Sequence, residues 1–165
     1  MARWNEFEQR SPEIAARGRA LLYQHGIGLG YLATVRKDSG PRVHPFCPIL
    51  TESGLYGLIA PSPKQADLLR DGRFALHTFP VPDRDDEFYL TGRVIDRRDR
   101  ALVDHVRASF LACGGTSTAD ELLFEFDIEH ALLATYKKRG EPNNWPPIYT
   151  KWHDRRYCLT LGRSV

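Results

Sequence analysis

Short segments in which hydrophobic and polar residues alternate recur along most of the chain. The clearest is residues 122–128, where large hydrophobic side chains are separated by Leu123, Glu125 and Asp127. Strict alternation of this kind predicts a strand with one buried and one exposed face. Further strands are predicted over residues 29–37, 42–50, 55–60, 73–79, 87–97 and 131–137, with a last hairpin over 149–152 and 156–161.

Three helices are predicted between these strands from the residues at which they begin. Ser11, Ser62 and Asp99 each precede a run with helical spacing. Serine and aspartate side chains accept a hydrogen bond from the first free amides of a helix, so they favour its N-cap position. A proline follows each of the two serines, and the first helical position is where a helix tolerates proline best.

The order of these elements predicts a mainly β fold. Turn-forming residues join most consecutive strands, so the sheet is expected to be predominantly antiparallel. Many short strands joined in this way are typical of a closed or nearly closed barrel, with the helices flanking it. Residues 1–10 are largely polar with Trp4 and Phe7 interspersed, and we expect them to form an N-terminal arm that packs on a partner.

Composition narrows the class of protein. With 165 residues, of which 42% are hydrophobic and 27% charged, the chain is expected to form one globular domain over residues 1–165. A formal net charge of +2 argues against a nucleic-acid partner, which usually requires a strongly basic face. The sequence has no signal peptide and no apolar run of membrane-spanning length, which predicts a cytoplasmic location without a membrane partner.

The cysteines and histidines do not show the spacing of a metal site. Cys47, Cys113 and Cys158 are odd in number and form no Cys-x-x-Cys pair, which argues against a disulfide framework or a zinc site. The six histidines contain no His-x-x-x-His pair. No metal is therefore predicted from the sequence.

The segment Ser62-Pro63-Lys64 has two interpretations. A helix N-terminus presents free amides and the positive end of the helix dipole, so it favours a phosphate group. Ser62 can cap the helix or donate its hydroxyl to the anion, and Lys64 adds a positive charge. The alternative, which is the commoner situation for such a motif alone, is a capped helix with a solvated lysine.

Two further segments carry chemistry in one interpretation and only structure in another. Residues 42–48 contain two prolines, and their unpaired backbone groups suit the edge of a heteroaromatic ring or belong to a protected edge strand. Trp145 lies in a loop near the basic Lys137 and Lys138, where it either covers an aromatic cofactor or substrate or fills a hydrophobic gap.

The order of several motifs resembles the pyridoxamine 5′-phosphate oxidase-like family, the superfamily of FMN-binding split barrels. The resemblance covers roughly residues 29–97. It is carried by Leu32-Ala33-Thr34-Val35, Gly40-Pro41-Arg42-Val43-His44-Pro45, Gly54-Leu55-Tyr56, Ser62-Pro63-Lys64-Gln65-Ala66-Asp67-Leu68, Arg73-Phe74-Ala75-Leu76 and Leu90-Thr91-Gly92-Arg93-Val94.

The resemblance implies a split β-barrel homodimer with two FMN sites at the subunit interface. It implies that Ser62 and Lys64 hold the cofactor phosphate, with Gln65 and Arg70 as further candidates. The strand lining the flavin ring comprises Arg42, Val43, His44, Pro45, Phe46 and Cys47. The substrate side is assigned to Lys137, Lys138 and Trp145.

The chain departs from the vitamin B6 oxidases themselves. Enzymes of that kind have an arginine-rich strand at the position where this chain, which otherwise resembles them, has His44-Pro45-Phe46-Cys47-Pro48. Their C-terminal substrate-binding pattern is not matched by Trp145 or Trp152. Oxidation of a B6 vitamer is therefore not expected.

Three functions remain open at this point. The first is an FMN-dependent oxidoreductase acting on a small molecule, with no side chain assigned as general acid or base. The second uses a deazaflavin coenzyme, whose acidic tail would bind a basic groove of Arg36, Lys37, Lys137, Lys138 and Arg139. The third is a non-catalytic module that carries or senses a flavin or haem.

Overall fold

The computed structural model describes residues 1–154 and Arg156. Its helices are α1 (Trp4–Arg10), α2 (Pro12–Leu22), α3 (Pro63–Arg70) and α4 (Arg100–Ala112). Its strands are β1 (Gly30–Val35), β2 (Pro41–Phe46), β3 (Ile49–Leu50), β4 (Leu55–Ile59), β5 (Arg73–Thr78), β6 (Glu87–Arg97), β7 (Leu122–Thr135) and β8 (Ile148–His153). The mainly β, antiparallel fold predicted from the sequence is confirmed.

The strands form one sheet that curls back toward its own first edge. The hydrogen-bonded order is β2-β1-β5-β6-β7-β4-β3, all antiparallel, and β8 pairs with β7. The two ends of this order, β2 and β3, are joined by only two residues. Across the interior, the Phe46 ring at the end of β2 packs 5.4 Å from the Phe126 ring of β7. Gly57 of β4 makes room for it, because a Cβ there would stand 2.3 Å from the Phe46 ring.

β7 is one long strand, whereas the hydrophobic pattern predicted two. A β-bulge at Glu129 explains the difference: Thr91 of β6 pairs with His130, and Gly92 pairs with Ile128, so Glu129 has no partner on β6. The extra residue shifts the alternation, so the side chains of β7 in the main core are Phe124, Phe126 and Ile128 before Glu129 and Ala131 and Leu133 after it. Because the hydrophobic alternation changes phase within one continuous strand, the sequence pattern resembles that of two separate strands.

The first ten residues belong to the barrel of their own chain. They form helix α1, which makes four helices within the described residues instead of the three predicted. Trp4 and Phe7 are 1% and 0% exposed, with Trp4 against Phe88 and Phe7 against Trp152. The expectation of a partner-binding arm is corrected, because these side chains fill the end of their own barrel.

The remaining elements close the other parts of the core. α4 packs through Val106 on a smaller cluster that includes Ile49 and Leu123. Residues 149–152 lie in β8 as predicted, while the predicted hairpin partner at 156–161 falls outside the described residues except for Arg156. No helix in the part of the chain described here has the length and hydrophobicity to cross a membrane.

Candidate functional site

Helix α3 begins as the sequence predicts, with Ser62 as its N-cap. Ser62 has an extended backbone, and its Oγ accepts a hydrogen bond from the Gln65 amide at 3.3 Å. The same hydroxyl donates to the carbonyl of Ala60 at 2.9 Å. Gln65 turns its side chain back and donates from Nε2 to the carbonyl of Ile59 at 2.7 Å. These contacts fix the path from β4 into α3.

Lys64 is the second residue of α3, and its side chain covers the end of β2. Its Nζ is 5.8 Å from the centroid of the Phe46 ring, a cation–π distance. Burial lowers the pKa of Lys64, and the neighbouring Cys47 partly offsets the shift. Burial likewise raises the pKa of the Cys47 thiol, against the effect of Lys64. Among the described residues, no carboxylate pairs with Lys64, so its charge is available to an anion.

Asp67, one helical turn after Lys64, is the buried centre of the contacts between α3 and the sheet. It is 4% exposed and accepts hydrogen bonds from Thr34 Oγ1 at 3.0 Å, Arg42 Nε at 2.7 Å and Arg70 Nη1 at 3.2 Å. Arg70 also donates to the carbonyl of Val35. Burial raises the pKa of Asp67, but the hydrogen bonds from Arg42, Arg70 and Thr34 outweigh it and lower the pKa overall.

Asp67 is not among the site residues predicted from the sequence. Its neighbours on the helix surface, Lys64 and Arg70, are charged, so the sequence did not mark Asp67 as a buried residue. The sequence does not show that Asp67 pairs with Arg42, because the two residues are 25 positions apart along the chain.

β2 presents the predicted ring-lining residues on two different faces. Arg42, His44 and Phe46 point toward α3 and the interior, as the Asp67 and Lys64 contacts show. Val43 and Pro45 point outward, and Val43 is 59% exposed. The structure therefore separates this set: Arg42 is bonded to Asp67, while Val43 and Pro45 form an outer surface.

His44 has a polar atom without a partner. Its Nε2 is buried and makes no hydrogen bond to the described residues. It lies on the α3-facing side of β2, between Arg42 and Phe46 in the strand. A buried donor or acceptor of this kind usually has a partner in the functional state.

The residues assigned to the substrate side lie elsewhere. Lys137, Lys138 and Trp145 follow the end of β7 and are exposed, Trp145 by 73%. The Trp145 ring is 6.4 Å from that of Tyr136. The three side chains therefore belong to an exposed segment of the chain that follows β7.

The single basic groove predicted for a deazaflavin tail does not form within one chain. Arg36 and Lys37 follow β1, which runs antiparallel to β7, so Lys137 and Lys138 lie toward the opposite end of the strands. Arg139 is also bound, since its Nη2 contacts Asp85 at 2.6 Å. Strand direction, which the sequence does not show, separates the two basic clusters.

Comparison with known proteins identifies the fold. A scan of protein-family models and a search of curated proteins give no match. Among solved structures, a heme binding protein from Mycobacterium smegmatis matches with a TM-score of 0.62 at 14% identity, over 87% of this chain and 60% of that one.

Two further matches have other described activities. One is a protein related to general stress protein 26 of B. subtilis (pyridoxinephosphate oxidase family) from Clostridium acetobutylicum, with a TM-score of 0.58 at 12% identity over 84% of this chain and 92% of that one. The other is an F420 reductase with a TM-score of 0.50 at 17% identity, over 68% and 94%. At such identities these likenesses show the fold alone, and the predicted split-barrel fold is confirmed.

Proposed function

We propose that this chain is a cytoplasmic flavoprotein that binds FMN as a homodimer and transfers electrons to a small molecule. The observation that carries the proposal is the position of Lys64. Its ammonium group is half-buried over Phe46, beside the start of α3, with no carboxylate partner in the described part of the chain. A cation held in this way is suited to bind a phosphate.

The first turn of α3 offers a small set of donors to that phosphate. Pro63 has no amide hydrogen, the Gln65 amide is bonded to Ser62 Oγ, and the Ala66 amide is bonded to the Ser62 carbonyl. The Lys64 amide therefore remains, together with its ammonium group, and the Ser62 hydroxyl would donate to the phosphate only by giving up its bond to the Ala60 carbonyl. The positive end of the helix dipole acts in the same direction.

The flavin ring would lie along β2. Pro45 faces Tyr31 across the β1–β2 pair, and Tyr31 and Val43 are exposed on the outer face of the sheet. Within the described residues β2 pairs only with β1, so its other edge has free backbone groups for the polar rim of the ring. When bound, the flavin supplies hydride or electron transfer, and the chain supplies binding and orientation.

The same outer face supports the proposal of a homodimer. Exposed apolar side chains such as Val43 and Tyr31 are covered in many proteins by a partner. A flavin ring bound to β2 would have one side covered by β2, and a second copy packed on this outer face would cover its other side.

Two alternatives remain as proposals. A deazaflavin coenzyme would place its acidic tail at a recess of about 480 Å³ lined by Arg36, Lys37, Asp38, Arg42 and Asp67, where Arg36 and Arg42 already pair with the two carboxylates. A haem or flavin carrier is suggested by the fold shared with the heme binding protein. Visible absorption separates the three: FMN shows two bands, deazaflavin one near-violet band, and haem an intense Soret band.

The test of the FMN proposal compares Lys64→Ala with Lys138→Ala. A charge-assisted contact contributes about 1.5–3 kcal/mol, so Lys64→Ala should raise the Kd for FMN roughly tenfold to 150-fold. Riboflavin, which lacks the phosphate, should bind both variants and the native protein alike. Fluorescence titration measures both ligands.

The outcomes of this titration are distinct. If Lys64→Ala binds FMN as tightly as the native protein, the phosphate site is elsewhere. If riboflavin binding falls as much as FMN binding, Lys64 contacts the ring or supports the fold instead. Lys138→Ala is the matched control, because it removes an exposed lysine far along the chain from α3.

A further inference from the structure

Three of the six histidines lie on the outer face of the barrel. His77, His130 and His153 are on β5, β7 and β8, and Tyr89 of β6 lies between the first two. The ring centroids of His77 and Tyr89 are 6.4 Å apart, and those of Tyr89 and His130 are 6.1 Å apart. The sheet thus gathers side chains that are separated by 76 positions in the sequence.

His130 and His153 form the close pair in this row. They are direct partners in the β7–β8 register, and their ring centroids are 4.3 Å apart with an interplanar angle of 36°. His130 is partly exposed and His153 is exposed. Neither ring makes a hydrogen bond to any of the described residues, so their nitrogens are open to a ligand from solvent.

We propose that His130 and His153 form a binding site for a divalent transition metal such as nickel, copper or zinc. Imidazole nitrogen is a preferred ligand of this group of metals. A metal about 2.0–2.1 Å from each nitrogen requires the two nitrogens to be about 3 Å apart. The two rings, whose centroids are 4.3 Å apart, would have to turn out of their stacked arrangement until one nitrogen of each faces the metal.

The rest of the coordination sphere would be water. Within residues 1–154 and Arg156, no group of three or more His, Cys, Asp and Glu side chains is arranged to hold a metal ion. His77 is separated from the pair by Tyr89 and contacts Glu87 at 3.9 Å instead. The site is therefore a two-imidazole site at the surface, which binds and releases its metal readily.

One charge on the same strand opposes the metal. Lys151 of β8 is two residues before His153, so it lies on the same face, opposite Leu132. A positive side chain at that spacing repels a divalent cation. The metal site can therefore be tested in a second way, because removing the positive charge of Lys151 should strengthen metal binding.

The test titrates the purified full-length protein with Ni²⁺ alone. Isothermal titration should show one site per chain, and His130→Gln or His153→Gln should each weaken binding by more than about tenfold. His77→Gln, on the same face, is the matched control and should bind as the native protein does. Lys151→Gln should bind Ni²⁺ a few-fold more tightly.

NMR localises the metal independently. Paramagnetic Ni²⁺ should broaden the imidazole resonances of His130 and His153 first. If His153→Gln binds as tightly as the native protein, or if His77→Gln weakens binding equally, the assignment is overturned. Circular dichroism confirms that each variant is folded, and His153→Gln at the exposed sheet edge is the variant least able to disturb the core.

Discussion

Two regions that the sequence marks for function are built in different ways. At the start of α3, Lys64 is held over Phe46, and one turn later the buried Asp67 bonds α3 to β1 and β2. In the region after β7, Lys138 and Trp145 are exposed. The first region is fixed by the fold before any ligand arrives. The second has few contacts that hold it in place.

The difference shows which region can bind a ligand without first losing conformational entropy. A site whose charged group is already positioned loses little conformational entropy when a ligand binds. An exposed tryptophan with a single aromatic neighbour must be ordered by the ligand itself. We therefore expect α3 to determine cofactor affinity, and Trp145 to matter only in the liganded protein.

The largest expected effect is on stability at Asp67. Asp67→Ala leaves the guanidinium of Arg42 without its carboxylate, and breaking a buried ion pair of this kind costs about 3 kcal/mol. Urea denaturation measures the loss in the free energy of unfolding. Asp38→Ala is the matched control, because the exposed Arg36–Asp38 pair contributes less than about 1 kcal/mol. Equal losses in both variants would show that α3 is not held by Asp67.

Acid should remove the same contact reversibly. The pKa of Asp67 is lowered below its ordinary value of 3.8 in the folded protein, so its stabilising contribution is present above pH 3.8 and is lost as the pH falls through the folded pKa. Asp67→Asn, which cannot titrate, should show a flatter decline of stability between pH 5 and pH 2. The free energy of unfolding at each pH is the measurement, and parallel curves for the two proteins would contradict the prediction.

A smaller effect is expected at the helix cap. Ser62→Ala removes the hydrogen bond to the Gln65 amide and should cost about 1 kcal/mol of stability. Ser62→Asn keeps a capping side chain and should restore most of that loss. Thermal unfolding compares the three proteins, and an Asn variant as unstable as the Ala variant would mean that capping is not the role of Ser62.

The smallest effect is expected at Trp145. Because it is 73% exposed, Trp145→Ala should change the free energy of unfolding by less than about 0.5 kcal/mol. Denaturation without and with FMN separates the two interpretations of this residue. A loss that appears only with FMN indicates contact with the cofactor, whereas a large loss without it would place Trp145 in the fold itself.

The sequence predicted the elements where local chemistry decides the structure. The cap at Ser62, the turns between strands and the alternation over residues 122–128 each gave a correct element. It missed α1, because Trp4 and Phe7 lie among polar residues and have no helix signal stronger than their spacing. It divided β7 in two because the bulge at Glu129 changes which side chains face inward.

The candidate site was predictable only in part. Lys64 and Ser62 were identified because a helix start is a local feature. The link between Asp67 and Arg42, and the pairing of His130 with His153, join residues 25 and 23 positions apart on separate elements. Spacing rules recognise ligands one helical turn apart, so they do not detect residues that meet across two strands.

By itself, then, the sequence determined which segments become strands and helices, because turn residues, caps and alternation act over a few neighbouring positions. Only the tertiary structure decided which segments meet: that β2 lies against α3, that the two basic clusters lie toward opposite ends of the strands, and that two histidines face each other. The physical reason is that strand pairing and direction follow from burial of the whole core, and no local window of residues contains that information.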